Sequence, residues 1–403
     1  MIRSGCLVCC SSSLSLIIDL GMHPFADTFI DKERFGESET VCPLNCVLCN
    51  DCGHVQTKYT TNPEDRYTKY DYSYTSSNST FSMNHWKKFT ESVLSNVGIP
   101  ENSIVAEVGS NDGYLGTLFQ NRNIKYIGVD ASPFMASLAR KNNVKTIVGL
   151  FDAEIVEKIK NDIGHVNLLI ANNVLNHADD PSAFVKCAAD LITDNGSFVF
   201  EVPYWLVDFE HSRFDKIYHE HVNYFTLRSL KKLLEQNDFH ITDVEEIDYH
   251  GGSIRVYAKK TDTGNNVNSI IDTMLQKEIK SNIFESISYE DFMKNILSKR
   301  DKILKNIYKI KANCHNIVAI GAAARGNTLL NFYNLDSNVI DYVTDISPFK
   351  LNKFTPLTRI PIVDDNIFKN YGKVFALSLT DNIPEQLKQN LLSLNDKIEF
   401  LEL

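Results

Sequence analysis

The chain has 403 residues, 43% of them hydrophobic and 23% charged, enough for two or three separately cored domains and outside the disordered and fibrous classes. Its 41 Lys and Arg against 51 Asp and Glu leave a formal charge of −10, the wrong sign for a surface that must neutralise nucleic-acid phosphates. The first residues carry a lone Arg3, and their apolar run is broken by Ser11–Ser13 and Asp19, so they fit neither a secretion signal nor a membrane span; the expectation is a cytoplasmic protein without nucleic-acid or membrane partners.

Residues 1–75 read as a cysteine-rich module. Seven of the nine cysteines lie between Cys6 and Cys52, crowding that in a cytosolic chain points to a metal rather than to disulfides. Cys6-Leu-Val-Cys9 and Cys49-Asn-Asp-Cys52 form two knuckles, the second followed by Gly53, which relieves the tight turn behind the thiolate. Two such pairs complete a tetrahedral sulfur site for zinc with no open position, so Cys6, Cys9, Cys49 and Cys52 are expected to hold a structural ion. Cys10, Cys42 and Cys46 stand in reserve, because Cys42-x-x-x-Cys46 is also a permissible spacing. The module closes in "RYTKYDYSYTSSNS", where Tyr72 and Tyr74 alternate toward one face.

Residues 76–262 alternate strand-like and helical runs: "SIVAEVG", "KYIGVDAS", "VNLLIANNV", "GSFVFEV" and "IRVYAKK" are the strand candidates, predicting an α/β domain with a mostly parallel sheet. Its centre is "AEVGSNDGYLG". Gly109 and Gly113 frame a turn between the first strand and a helix near Tyr114, the place where such folds bind nucleotide-like ligands. The spacing is not the dinucleotide fingerprint. Glu107, Asn111 and Asp112 suit a cationic, phosphate-free ligand, and Asp130, at the end of the next strand, is placed to accept from ribose hydroxyls. S-adenosylmethionine (SAM) meets that description, with Asn172 and Asn173 of "ANNVLNH" near its amino-acid end and Phe151 or Asp152 of "LFDAE" beside its adenine.

Further along comes "FDKIYHEHVNYF". A zincin pattern needs His-Glu-x-x-His, and Asn223 occupies the last place, so that pattern is absent. A His219-x-His221 metal pair, sharing one face of an extended segment, and a proton-transfer site around Tyr218, Glu220 and His221 both remain open at this point. "HGGS" from His250 marks backbone passing close to a ligand or another strand.

Residues 263–403 begin with two helices, apolar at Ile271, Met274, Leu275 and Ile279 and then at Phe292, Ile296, Ile303 and Ile307, the second with an expected cap at Ser288. "GAAARGNT" then nearly matches a P-loop, but Asn327 stands where that motif needs Lys, so an ATPase is excluded. With Arg325 at the helix start and Asp345 ending the next strand, the segment reads as a second Rossmann-like unit.

"AEVGSNDGYLG", "NNVLNHADD", "FDKIYHEHVNYF", "HGGSIRVYA" and "GAAARGNTLLNFY" occur in order behind the cysteine module and "YDYSYTSS". Together they resemble the zinc-containing, SAM-dependent sugar C-methyltransferases of deoxysugar pathways, which methylate a carbon next to the ketone of a nucleotide-linked 4-keto-6-deoxy sugar. The resemblance spans nearly the whole chain. It implies three parts: a zinc-binding module, a central Rossmann-like SAM methyltransferase domain and a second Rossmann-like domain, with the nucleotide-diphosphate 4-keto sugar between the last two. It also implies that His221 is the base, that Tyr218 and Glu220 line the site, and that His177, after the Asn-rich loop, belongs to it; Tyr74 joins them as a candidate sugar contact. The family has a tryptophan-asparagine pair near "LSLT", where this chain has Leu379 and Thr380.

Carbon has no lone pair, so its methylation needs a base to form an enolate beside a ketone, and donors for the oxyanion that develops. A histidine neutral at cellular pH suits the base. The rival readings are an O- or N-methyltransferase, which needs no carbon acid, and a non-enzymatic zinc-ribbon adaptor. A monomer or weak oligomer is expected.

Overall fold

The computed structural model describes residues 2–62, 75–77, 79–99, 102–260, 269–379 and 385–401. Three sheets organise it. The first is antiparallel and belongs to the cysteine module: β1 (Leu14–Pro24), β2 (Val41–Cys49) and β3 (Val55–Thr57).

The second has seven strands: β4 (Ile104–Val108), β5 (Lys125–Asp130), β6 (Thr146–Val148), β7 (Val166–Ile170), β8 (Ile192–Pro203), β10 (His240–Ile247) and β11 (Ser253–Lys259). Their order is β10-β11-β8-β7-β4-β5-β6, parallel except at β11, which runs antiparallel to both neighbours. All five expected strands are present; β6 and β10 are additional. The chain proceeds from β4 to β5 on one side and returns to β7 on the other, so a crevice opens between β4 and β7 at their carboxyl ends.

One strand crosses between these parts. β9 (Asn223–Tyr224), which begins two residues after His221, leaves the central domain and pairs with β3, Gln56 opposite Asn223 and Val55 opposite Tyr224. The segment carrying the histidines is thereby an edge of the cysteine module's sheet.

The third sheet is wholly parallel, in the order β14-β13-β12-β15-β16, from β12 (Asn316–Ile320), β13 (Tyr342–Thr344), β14 (Ile362–Val363), β15 (Val374–Ser378) and β16 (Ile398–Leu401). Two helices, Ser269–Lys280 and Ser288–Ala312, lead into it, as their apolar spacing predicts. The cap expectation at Ser288 is corrected: Ile287 is the residue before the helix, no side chain caps it, and the Ser288 amide donates to the Glu285 carbonyl in a turn already closed upstream.

The third sheet repeats the second locally. In both, the first strand leads through a glycine turn to a helix, Tyr114–Gln120 or Ala324–Phe332, and an aspartate at the end of the second strand or just past it opens Asp-x-Ser-Pro-Phe, 130–134 and 345–349. Asp130 accepts from the amides of Asn111 and Ser132, each at 2.8 Å. Asp345 accepts from those of Ala322 at 3.0 Å and Ser347 at 2.8 Å. The corresponding Phe134 and Phe349 meet edge to face, ring centres 5.3 Å apart, so equivalent loops of the two units touch.

A continuous apolar core joins the parts, from Leu44, Leu48 and Val55 in the module through Phe214 and Phe225 to Leu329, Phe332 and Leu377 in the last unit. Burial of this kind stabilises by about 25 cal/mol per Å² of apolar surface removed from water. Among the described residues no helix is long and apolar enough to cross a membrane.

Candidate active site

The four cysteines expected to bind zinc converge: the sulfurs of Cys6, Cys9, Cys49 and Cys52 all lie within 4.8 Å of one another. The Cys6 and Cys52 sulfurs are 3.6 Å apart and those of Cys9 and Cys49 3.5 Å, close to the roughly 3.8 Å edge of a tetrahedron with 2.3 Å zinc–sulfur bonds. Burial is the opposing cost, pushing the Cys9 thiol up to about 11, and a bound cation offsets it by holding the sulfurs as thiolates. Gly53 (φ 73°) makes the turn that donates its amide to the Cys49 carbonyl at 2.9 Å; a β-carbon there would come within 2.4 Å of the Phe284 ring. The donor set fits structural zinc. Cys46 is buried in the sheet, its thiol pushed up by that burial, and Cys10 is exposed.

The second knuckle continues into the histidine segment. His54 Nε2 lies 3.1 Å from Asn223 Oδ1. The Asn223 amide nitrogen donates to the carbonyls of Ala178 (2.7 Å) and Leu175 (3.3 Å), which leaves its oxygen to accept from His54. The Val222 amide donates to the Asn176 carbonyl at 2.8 Å. The single 3-10 turn Leu175–His177 and the segment ending at His221 are thus laced together and fastened to the zinc module.

That lacing brings His177 and His221 together, ring centres 4.7 Å apart and nearly perpendicular. His221 Nδ1 lies 2.9 Å from the Lys216 carbonyl, which can only accept, so the proton is on Nδ1 and Nε2 carries the lone pair. The Tyr218 hydroxyl donates to that Nε2 at 2.7 Å. Burial, with the His177 ring next, pushes His221 well below the ordinary histidine value, so the ring is neutral at cellular pH.

Glu220 is buried and accepts from the Asp27 amide at 3.2 Å, so a loop of the zinc module reaches the site. His219 does not join His221. Its ring packs edge-on against Phe25, 5.5 Å away, beside the backbone of Pro24, Cys42 and Pro43, and burial lowers it to about 4. The alternative of a His219-x-His221 metal pair is corrected accordingly: residues 214–221 run through turns, with the His221 amide bonded to the Tyr218 carbonyl, and the alternation of an extended strand does not apply.

At the β4/β7 crevice, Gly109, Asn111 and Asn173 all adopt left-handed backbone, φ 72°, 51° and 55°. Ser110 Oγ, Asn172 Nδ2 and Asn173 Oδ1 are buried there without a hydrogen-bond partner. Such orphaned groups at a switch point are what a polar ligand would satisfy, and SAM fits the residues present. Asp130, raised by burial against the pull of its two amide donors, stands at the crevice edge. Glu107 accepts from the buried Tyr126 hydroxyl, and burial raises its carboxyl to about 8.

Several expected cofactor contacts have structural partners. Asp112 accepts the hydroxyls of Ser76 and Ser77 and the Ser77 amide, while Asn111 accepts the Ser76 amide at 2.9 Å. Both therefore anchor the segment that follows Tyr74, which itself lies outside the described residues, as does Tyr72. Asp152 caps the helix Ala153–Ile163 by accepting the Ile155 amide, and Phe151 packs against Phe184 with ring centres 5.0 Å apart. Gly113 lies before the helix Tyr114–Gln120 with φ 78°.

Sequence reasoning missed a buried network at the end of β8. Glu201, fully buried, accepts from Arg255 (2.7 Å) and from His85 (2.7 Å). Burial alone would raise it, but His85 and Arg255 outweigh that and hold it below the usual carboxylate range. His85 in turn stacks on Tyr249 at 3.8 Å, beside His250. No short-range spacing links residues 85, 201 and 255. The His250 backbone is left-handed (φ 52°), and burial, followed by the charges of Arg325 and Lys216, lowers its ring to about 3.

From the second Rossmann-like unit, Arg325 pairs with Asp215 and Asn327 Nδ2 donates to the Ala26 carbonyl at 2.6 Å. Gly326 is where that helix approaches Leu379; an added β-carbon would lie 2.8 Å from it.

The chain matches three protein families in series: a zinc binding domain over residues 6–67, a methyltransferase domain over 84–244 and a C-methyltransferase C-terminal domain over 248–397. C-methyltransferase NovU of Streptomyces niveus is 29% identical over 397 residues, 98% of this chain and 93% of that protein. Among solved structures, the PH0226 protein of Pyrococcus horikoshii OT3 covers 47% of this chain and 95% of its own at 14% identity and TM-score 0.39. Magnesium protoporphyrin IX methyltransferase of Synechocystis PCC 6803 with bound SAH covers 45% and 85% at 16% identity and TM-score 0.35.

Proposed function

The chain belongs to the zinc-containing C-methyltransferases, and on that premise we propose that it methylates carbon 3 of a nucleotide-linked 4-keto-6-deoxy sugar through an enolate generated by His221. It is a SAM-dependent C-methyltransferase carrying a structural zinc; the sugar, the position and the base are the proposal. The observation that supports them most is the state of His221, a neutral ring with Nδ1–H spent on the Lys216 carbonyl and the Nε2 lone pair turned to the Tyr218 hydroxyl.

The chemistry follows from that state. Nε2 takes the proton from the carbon beside the ketone, and the electron pair of that C–H bond delocalises onto the carbonyl oxygen. Tyr218, already a donor to Nε2, turns its hydroxyl to the developing oxyanion as the sugar takes its place. His177, packed against His221, lines the same space. SAM, when bound, supplies an electrophilic methyl group on a sulfonium. The Asp130 carboxylate would hold its ribose, and Asn172 and Asn173 its amino-acid end. Glu220, on the zinc-module side, would hold a sugar hydroxyl, and the nucleotide would lie toward Arg325 and the second unit.

Mass spectrometry of dTDP-4-keto-6-deoxyglucose and GDP-4-keto-6-deoxymannose, incubated in heavy water with SAM or with S-adenosylhomocysteine, tests this. A gain of one methyl with SAM, and enzyme-dependent deuterium beside the ketone with the demethylated cofactor, is expected. Methylation of oxygen or nitrogen without exchange would overturn the enolate.

A further inference from the structure

Asp215 and Lys216 are consecutive, both nearly inaccessible at 4% and 3%, and each is tied to a different part of the molecule. Asp215 pairs with Arg325 of the second Rossmann-like unit. Lys216 Nζ sits 2.8 Å from Asp208, on the helix Trp205–Glu210, and 3.5 Å from the carbonyls of Gly251 and Gly252. Burial raises Asp208 to about 6 even with the lysine beside it. A buried ion pair is a weak source of stability, since apolar side chains of the same size do as well or better, so its presence here calls for another use. The backbone supplies one: the carbonyl of this same Lys216 accepts His221 Nδ1–H.

We propose that Lys216 is a positioning residue for His221: its anchored carbonyl fixes the ring's tautomer and aim, and its buried ammonium opposes formation of the imidazolium. The inference rests on the reading of His221 as the base. Anchoring the Lys216 side chain on Asp208 restrains the residue whose carbonyl accepts Nδ1–H, which favours the acceptor staying on Nδ1 and the lone pair on Nε2. Among the described residues, groups from several elements face the ring. His177 comes from the 3-10 turn, Tyr218 and Lys216 from the ring's own loop, and His250 from the turn before β11. Tyr224 of β9 donates its hydroxyl to the His221 carbonyl at 2.8 Å. Burial is the largest influence holding the ring neutral and His177 the next; the Lys216 carbonyl, by accepting Nδ1–H, pulls the other way, and the Lys216 ammonium, followed by His250, offsets that pull. The arrangement suits a base that must be free to accept at neutral pH yet must not trap the proton it receives.

The test compares full-length, zinc-loaded wild type with Lys216→Met, Lys216→Arg and the double variant Lys216→Met/Asp208→Asn, which leaves no lone buried charge if the single substitution fails to fold. The His221 ring is followed by nitrogen-15 NMR titration, its resonance assigned by its loss in His221→Ala. In Lys216→Met or the double variant, the His221 titration should move up by about one pH unit, and the acidic limb of kcat should move with it. Lys216→Arg should restore both. An unmoved titration in the folded variants overturns the positioning role while leaving the base reading intact. Separately, a His221→Ala enzyme that keeps most of its turnover removes the base, and the inference with it.

Discussion

His54, two residues past the last zinc thiolate, donates Nε2–H to Oδ1 of Asn223, two residues past the proposed base, at 3.1 Å. The cysteine cluster and the segment of the proposed base, far apart in the chain, are therefore one hydrogen bond apart in space. Asn223→Ala should keep the zinc, measured by metal analysis, and lower kcat about tenfold, since the turn at His177 and the segment at His221 lose their shared brace. Removing zinc itself, by chelation or Cys49→Ser, should disorder the module and abolish turnover, seen as loss of near-ultraviolet circular dichroism together with activity.

His221→Ala should reduce turnover to background while S-adenosylhomocysteine affinity, measured by calorimetry, stays within about twofold. Tyr218→Phe should lower kcat roughly 100-fold and spare that affinity, because in the proposed mechanism the hydroxyl serves the oxyanion while the ring packing survives the substitution. A Tyr218→Phe enzyme with unchanged kcat would remove the phenol from the proposed mechanism.

At the cofactor crevice, Asp130→Ala should weaken S-adenosylhomocysteine binding at least tenfold, the loss expected when a carboxylate acceptor disappears. Asp112→Ala should behave differently. Its carboxylate holds Ser76 and Ser77, so the larger effect should fall on KM for the nucleotide sugar. Equal losses of cofactor affinity in the two variants would contradict that division.

The pH dependence of kcat follows from the direction of the His221 shift. The folded value lies well below the ordinary 6.5, and the reactive form is the neutral one, present above the folded value. As pH falls through 6.5, kcat should hold, declining only at more acidic pH. An acidic limb centred at or above 6.5 would show a ring that is not held neutral.

Glu201 makes a stability prediction. Glu201→Leu leaves Arg255 in the core with Glu245, half-exposed, as its remaining acidic partner at 3.0 Å, and should cost about 3 kcal/mol, read as a lower urea midpoint for the methyltransferase domain. The companion double variant Glu201→Leu/Arg255→Met should recover most of that loss, since no lone charge is then buried.

Where the required groups are neighbours along the chain, their pattern was legible from the residues alone. The two Cys-x-x-Cys knuckles, the glycine turn after "SIVAEV" and the apolar strand cores are local patterns, and local geometry dictates them. What depends on which distant surfaces meet is set by the fold. Alternation put His219 and His221 on one face, but that parity holds only in a regular strand, and the turns of residues 214–221 send one ring to Phe25 and the other to Tyr218. Asp112 has the composition of a ligand contact, yet Ser76 and Ser77 reach it first. The pairing of β9 with β3, the His85–Glu201–Arg255 network and the Asp215–Arg325 ion pair span separations of tens to more than a hundred residues. Their partners are chosen by packing of a shared core and by the need to satisfy buried charge, neither of which leaves a periodicity in the sequence.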